Sequence, residues 1–62
     1  MNTEMLLKEF QEILVYEERA KNFYEHYIDQ LKDEGIKKQL IAIRDDEVVH
    51  IQIAKNLIEL VS

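Results

Sequence analysis

A single glycine at position 35 and the absence of any proline leave this 62-residue chain only one place to break its backbone. Glycine and proline are the residues that most strongly end a helix, so a chain with one glycine near its middle has two long uninterrupted segments. Apolar residues in both segments recur at alternating steps of four and three, which is the period of a helix face and not of a strand. The pattern predicts an all-α chain, one antiparallel helical hairpin over residues 1–62. Helix 1 is expected over about 4–32, the turn over about 33–35 and helix 2 over about 36–60. Thr3, followed by Glu4, is the expected N-cap of helix 1, since a hydroxyl can accept an orphan amide hydrogen bond and an acid favours the positive helix end. At the turn, Gly35 as a left-handed C-cap and Asp33 as the N-cap of helix 2 are equally open.

A chain below roughly 70–80 residues seldom builds a sufficient core alone and needs a staple. There is no cysteine, which excludes a disulfide, a zinc–thiolate knuckle and an iron–sulfur cluster. Metal bound through oxygen and nitrogen, oligomerisation, or both remain. Thirteen acidic against eight basic residues give a net charge of -5, which disfavours nucleic acid and anionic membranes as partners. No apolar run approaches the length of a membrane span, and Met1-Asn2-Thr3-Glu4-Met5 lacks the basic start and apolar stretch of a secretory signal. A cytoplasmic protein is the expectation.

Stepping by four and three along helix 1 gives Leu6, Phe10, Ile13, Glu17, Ala20, Tyr24, Tyr27 and Leu31; along helix 2 it gives Ile36, Leu40, Ile43, Glu47, His50, Ala54, Leu57 and Val61. Such a repeat is the seam of helices that pack at a shallow angle. Folding at Asp33/Glu34 sets Glu17 level with His50 and Ala20 level with Glu47, so the few ionisable residues of the two stripes meet in one layer. Further apolar rows flank both stripes, including Leu7, Leu14 and Ile28 on helix 1 and Ile41, Val48, Ile51 and Ile58 on helix 2. Two helices cannot bury them all, so a second hairpin is expected to cover the remainder and complete a four-helix bundle.

Glu47-Val48-Val49-His50 is a Glu-x-x-His pair, and three residues on a helix turn both side chains to one face. Taken singly, each of Glu17, Glu47 and His50 reads as a rim carboxylate or a satisfied core histidine. Taken together, they place carboxylates among apolar residues without a counter-ion, and each buried ion costs several kcal/mol. A bound metal removes that cost. Two hairpins supply four carboxylates and two imidazoles, the ligand set of a di-iron or di-manganese carboxylate site in a four-helix bundle. Oxygen-rich ligation with one nitrogen per ion suits iron or manganese, and the four negative charges balance two divalent cations.

Glu17-Glu18-Arg19-Ala20-Lys21-Asn22-Phe23-Tyr24 resembles the first-helix Glu-x-x-Ala-x-x-aromatic-Tyr segment of the rubrerythrin branch of ferritin-like proteins. Arg44-Asp45-Asp46-Glu47-Val48-Val49-His50 resembles the acidic-Glu-x-x-His segment of that branch's second helix. The resemblance spans about residues 10–60 and is strongest to the half-size, two-helix members, such as encapsulated ferritins, which build their bundle by dimerising. It implies that Glu17 is a terminal carboxylate ligand, Glu47 a metal-bridging carboxylate and His50 a terminal imidazole, with Tyr24 near the cluster. It further implies two iron ions per dimer, or manganese in their place, and ferroxidase or peroxidase chemistry on O2 or peroxide. Without cysteine, no rubredoxin centre lies within these residues to feed electrons.

Two other function classes compete. A four-helix histidine phosphotransfer or dimerisation module would use His50 as phosphoacceptor, which needs an exposed ring and sits poorly with the following Ile51. A plain helical dimerisation protein would have no chemistry at all. Among other polar residues, His26 lies off the stripe and reads as solvent-exposed, Tyr24 is a candidate to hydrogen-bond a ligand carboxylate, and Arg44, Asp45 and Asp46 are candidates to hold Glu47 or His50 in place.

Overall fold

The computed structural model describes residues 1–62 as two α-helices, α1 over Thr3–Gln30 and α2 over Glu34–Val61, each 28 residues long. At 1.5 Å per residue such a helix is about 42 Å long, and the molecule measures 47 × 14 × 14 Å. The hairpin is therefore one pair of antiparallel rods lying side by side. Neither helix is long and apolar enough to cross a membrane.

Both helices start on side-chain caps. Asn2, not Thr3, caps α1: its Oδ1 accepts the Met5 amide at 2.8 Å while its backbone is extended. The amide side chain one position earlier takes the role because Thr3 is already in the first helical turn. Asp33 caps α2, its Oδ1 accepting the Ile36 amide at 2.9 Å. This resolves the turn in favour of Asp33. Leu31 closes α1 in extended conformation with its amide donating to the Tyr27 carbonyl at 3.0 Å, and no residue has positive φ. Gly35 thus does not terminate a helix but lies in the first turn of α2, where a Cβ would approach the Asp33 carboxylate oxygen to 3.3 Å.

The turn consequently comprises Leu31–Asp33, centred on Lys32, about two residues earlier than the sequence pattern placed it. The registers of the two helices shift with it. Glu17 and Glu47 each lie fifteen residues from Lys32, so they, and not Glu17 and His50, stand level.

Buried and half-buried residues follow a three-four repeat on each helix, though not the expected one. On α1 the repeat is Leu7, Phe10, Leu14, Glu17, Lys21, Tyr24 and Ile28; on α2 it is Lys37, Leu40, Arg44, Glu47, Ile51, Ala54, Ile58 and Val61. The expected stripes share every second member with these. Of their other members, Ile13, Tyr27, Ile36, Ile43 and His50 are exposed. Each helix carries two overlapping apolar seams, and one neighbour can cover only one of them. Ile28 and Ala54 alone are fully buried. A compact protein of 7.4 kDa exposes about 4200 Å², whereas this hairpin exposes 4920 Å².

Candidate metal centre

Glu17 is near the middle of α1 and Glu47 near the middle of α2, so the seam carries facing carboxylates at half its length. His50, one helical turn beyond Glu47, sits beside them on the uncovered seam. Its Nδ1 stands 3.5 Å from Glu17 Oε2. One ligand atom from each of Glu17, Glu47 and His50 falls within 4.8 Å of the others. Donors on a single first-row metal ion at about 2.1 Å each lie no more than about 4.2 Å apart. Less than 1 Å of side-chain movement, about the scale of a small rotamer adjustment, would close this set on an ion.

Glu47 has the least comfortable environment of the three. Its Oε2 is shielded from water and receives no hydrogen bond. Two facing carboxylates can bond only when one holds a proton, and the proton that Glu47 can share with Glu17 is the main reason its carboxyl titrates above the ordinary value of 4.5. Partial burial and the charge of Glu17 push in the same direction, with a smaller push from Asp46, while His50 opposes them. The physical cause is the same throughout: negative charge is concentrated where little water reaches it.

The cluster opens onto the uncovered face. Ile13, Glu17, His50, Ile53, Ala54 and Leu57 line an open groove of about 290 Å³. Ala54, only 2% exposed, forms its floor. Ile13 and Ile53 on its walls remain 45% and 49% exposed, so the polar site is flanked by apolar side chains that the hairpin leaves uncovered.

The sequence pattern placed Glu17, Glu47 and His50 together, and they meet in the fold. It differed from the fold on their neighbours. Tyr24 is half-buried and packs edge-on against Phe23, but no hydrogen bond joins its hydroxyl to Glu17, Glu47 or His50. Seven residues separate it from Glu17, two turns along the same rod. Arg44 does not hold Glu47 or His50: its guanidinium pairs with Asp45 at 2.9 Å and Glu25 at 3.6 Å. His26 is exposed, with Nε2 3.1 Å from Gln30 Nε2. Lys21 and Arg44, like Lys37, are seam residues outside the expected stripes. The signal was present, because both fall in step with Leu14, Ile28, Ile51 and Ile58, the repeat that the hairpin buries.

Comparison with family models, with curated proteins and with solved structures finds no match to this chain.

Proposed function

We propose that two hairpins associate through the uncovered face into a four-helix bundle of ferritin-like type. In it, paired copies of Glu17, Glu47 and His50 bind two Fe(II) ions, or manganese, and the protein oxidises Fe(II) with O2 or peroxide. The observation that carries this reading is the convergence of three ligand-type side chains at mid-length of the hairpin, on the face whose apolar residues are left exposed. A homodimer about a two-fold axis through that point brings the two clusters together. The residues fit such ions: the orphaned Glu47 Oε2 lacks a positive partner, the donor set is oxygen-rich with one imidazole, and no thiolate is present to favour zinc.

Glu17, Glu47 and His50 would hold the ions, Glu17 and His50 as terminal donors and Glu47 as the shared carboxylate. Metal uptake would take the place of any proton that Glu47 shares with Glu17, the contact that raises its pKa. Ile13, Ile53 and Leu57, once covered by the partner, exclude water from the groove. Bound there, two Fe(II) ions would supply one electron each, enough to reduce O2 to hydrogen peroxide or peroxide to water with protons drawn from solvent.

The test is metal stoichiometry of the purified protein after anaerobic Fe(II) loading. Two ions per dimer are expected, and Glu47→Ala or His50→Ala should lose them while remaining helical. Retention of two irons by both variants would remove this site from consideration.

One observation favours the histidine phosphotransfer reading: the His50 side chain is 52% exposed in the single hairpin, with Glu17 positioned on Nδ1. Against it stands the local charge, since Glu17, Glu47 and Asp46 all repel an incoming phosphoryl group. Phosphorus NMR after incubation with acetyl phosphate separates the two, a phosphohistidine signal supporting the second reading.

A further inference from the structure

We propose that Glu25 is a positioning residue that draws Lys21 and Arg44, the seam cations within one turn of the site, away from the ligand carboxylates, leaving Glu17 and Glu47 free to take a divalent metal; this rests on the metal-binding reading above.

Lys21 follows Glu17 by four residues on α1, and Arg44 precedes Glu47 by three on α2. These are the spacings at which opposite charges pair along a helix, and acid before base at four residues is the better order. All four side chains are half-buried in the same seam. By sequence proximity alone, Lys21 should neutralise Glu17 and Arg44 should neutralise Glu47. Neither does. Both reach the same atom, Glu25 Oε1, at 3.6 Å, Lys21 along its own helix and Arg44 from across the hairpin. Arg44 is drawn further off by Asp45. Glu47 Oε2 is left shielded and without a donor, and the basic side chain beside Glu17 is His50, itself a ligand candidate.

The consequence for affinity is competitive. A carboxylate held by Lys or Arg must break that pair to accept a metal ion, so every pair that forms subtracts from metal affinity. Partly exposed ion pairs are each worth about two- to fivefold in an equilibrium constant. Freeing both cations should therefore weaken metal binding by about tenfold.

The experiment measures Mn(II) affinity of the full chain by calorimetry, with free Mn(II) followed by electron paramagnetic resonance. Glu25→Gln should bind about tenfold more weakly than wild type. Glu18→Gln removes the same charge from an exposed residue without an ion partner, and should bind nearly as wild type. Adding Arg44→Met to Glu25→Gln should restore about threefold of that loss, since Lys21 stays released, whereas Arg44→Met alone should change little, because Arg44 is already occupied. Equal affinity of Glu25→Gln and wild type would overturn the proposal, as would an equal loss in Glu18→Gln or additive effects of the Glu25 and Arg44 substitutions. Those results leave the metal site standing. Absence of Mn(II) uptake by wild type removes both readings together.

Discussion

Replacing Ile43 with Glu tests whether the exposed apolar face is a dimer interface. Ile43 lies on the line of Ile36, His50 and Leu57, spaced by seven residues along α2, and is 39% exposed in the hairpin. A charge there can stay hydrated while the hairpin stands alone. The surface of two separate hairpins is twice 4920 Å², whereas a compact protein of twice the mass exposes about 7000 Å². The difference, about 2900 Å², lies in the range of obligate interfaces and above the standard 1200–2000 Å². In the dimer each introduced carboxylate would be enclosed beside an already acidic layer, and Lys21, the cation level with it on α1, is already paired with Glu25 at 3.6 Å. Taking about 3 kcal/mol for each uncompensated ion, the pair costs about 6 kcal/mol, or about four orders of magnitude in the dissociation constant. Sedimentation equilibrium from 0.1 to about 100 µM, alongside far-ultraviolet circular dichroism, reads both mass and helicity. Asn22→Glu on the outer, exposed face of α1 serves as the control and should dimerise as wild type. A wild-type protein that remains a folded monomer at micromolar concentration, or an Ile43→Glu variant that dimerises with unchanged affinity, refutes the reasoning.

Three further outcomes are expected. The raised folded pKa of Glu47 means that the native state holds its proton more tightly than the unfolded chain. Metal-free stability should therefore be greatest below the ordinary value of 4.5 as far as this group is concerned, and should fall as the pH rises through the folded value; Glu47→Gln should flatten that slope in thermal melts with chelator, and parallel curves would contradict it. Asp33→Ala removes the bond to the Ile36 amide and should lower stability by about 1 kcal/mol, read from urea denaturation. Tyr24→Phe should leave metal content unchanged, since the hydroxyl touches none of the three ligand candidates; loss of metal in that variant would show a contact that forms only in the assembly.

Local chemistry was legible along the chain wherever neighbours within one turn decide the outcome. Helix existence followed from the three-four periodicity and from the lack of proline. The α2 start could be narrowed to Asp33 or Gly35 because both have a physical means of ending or beginning a helix. The choice between them could not be read, as it depends on whether Leu31 leaves α1 extended or left-handed, and the extended form won. That choice moved the turn to Lys32 and shifted the level of every cross-helix pair. The convergence of Glu17, Glu47 and His50 survived the shift because it spans only one helical turn.

What the amino-acid order determined by itself was the helical hairpin, its approximate midpoint and the placement of carboxylates and an imidazole within one helical turn of each other. Periodicity and spacing are properties of one helix and need no partner to be expressed. Which seam faces inward was decided only by tertiary packing. Leu14, Ile28, Ile51 and Ile58 compete with Ile13, Tyr27, Ile36 and Ile43 for one neighbouring helix, and both sets share the helical period. Tertiary structure likewise decided that Arg44 reaches across to Glu25, the acid that Lys21 already meets along α1. Along the chain each has an acid within one turn, yet Glu25 alone can reach both once α1 and α2 lie side by side.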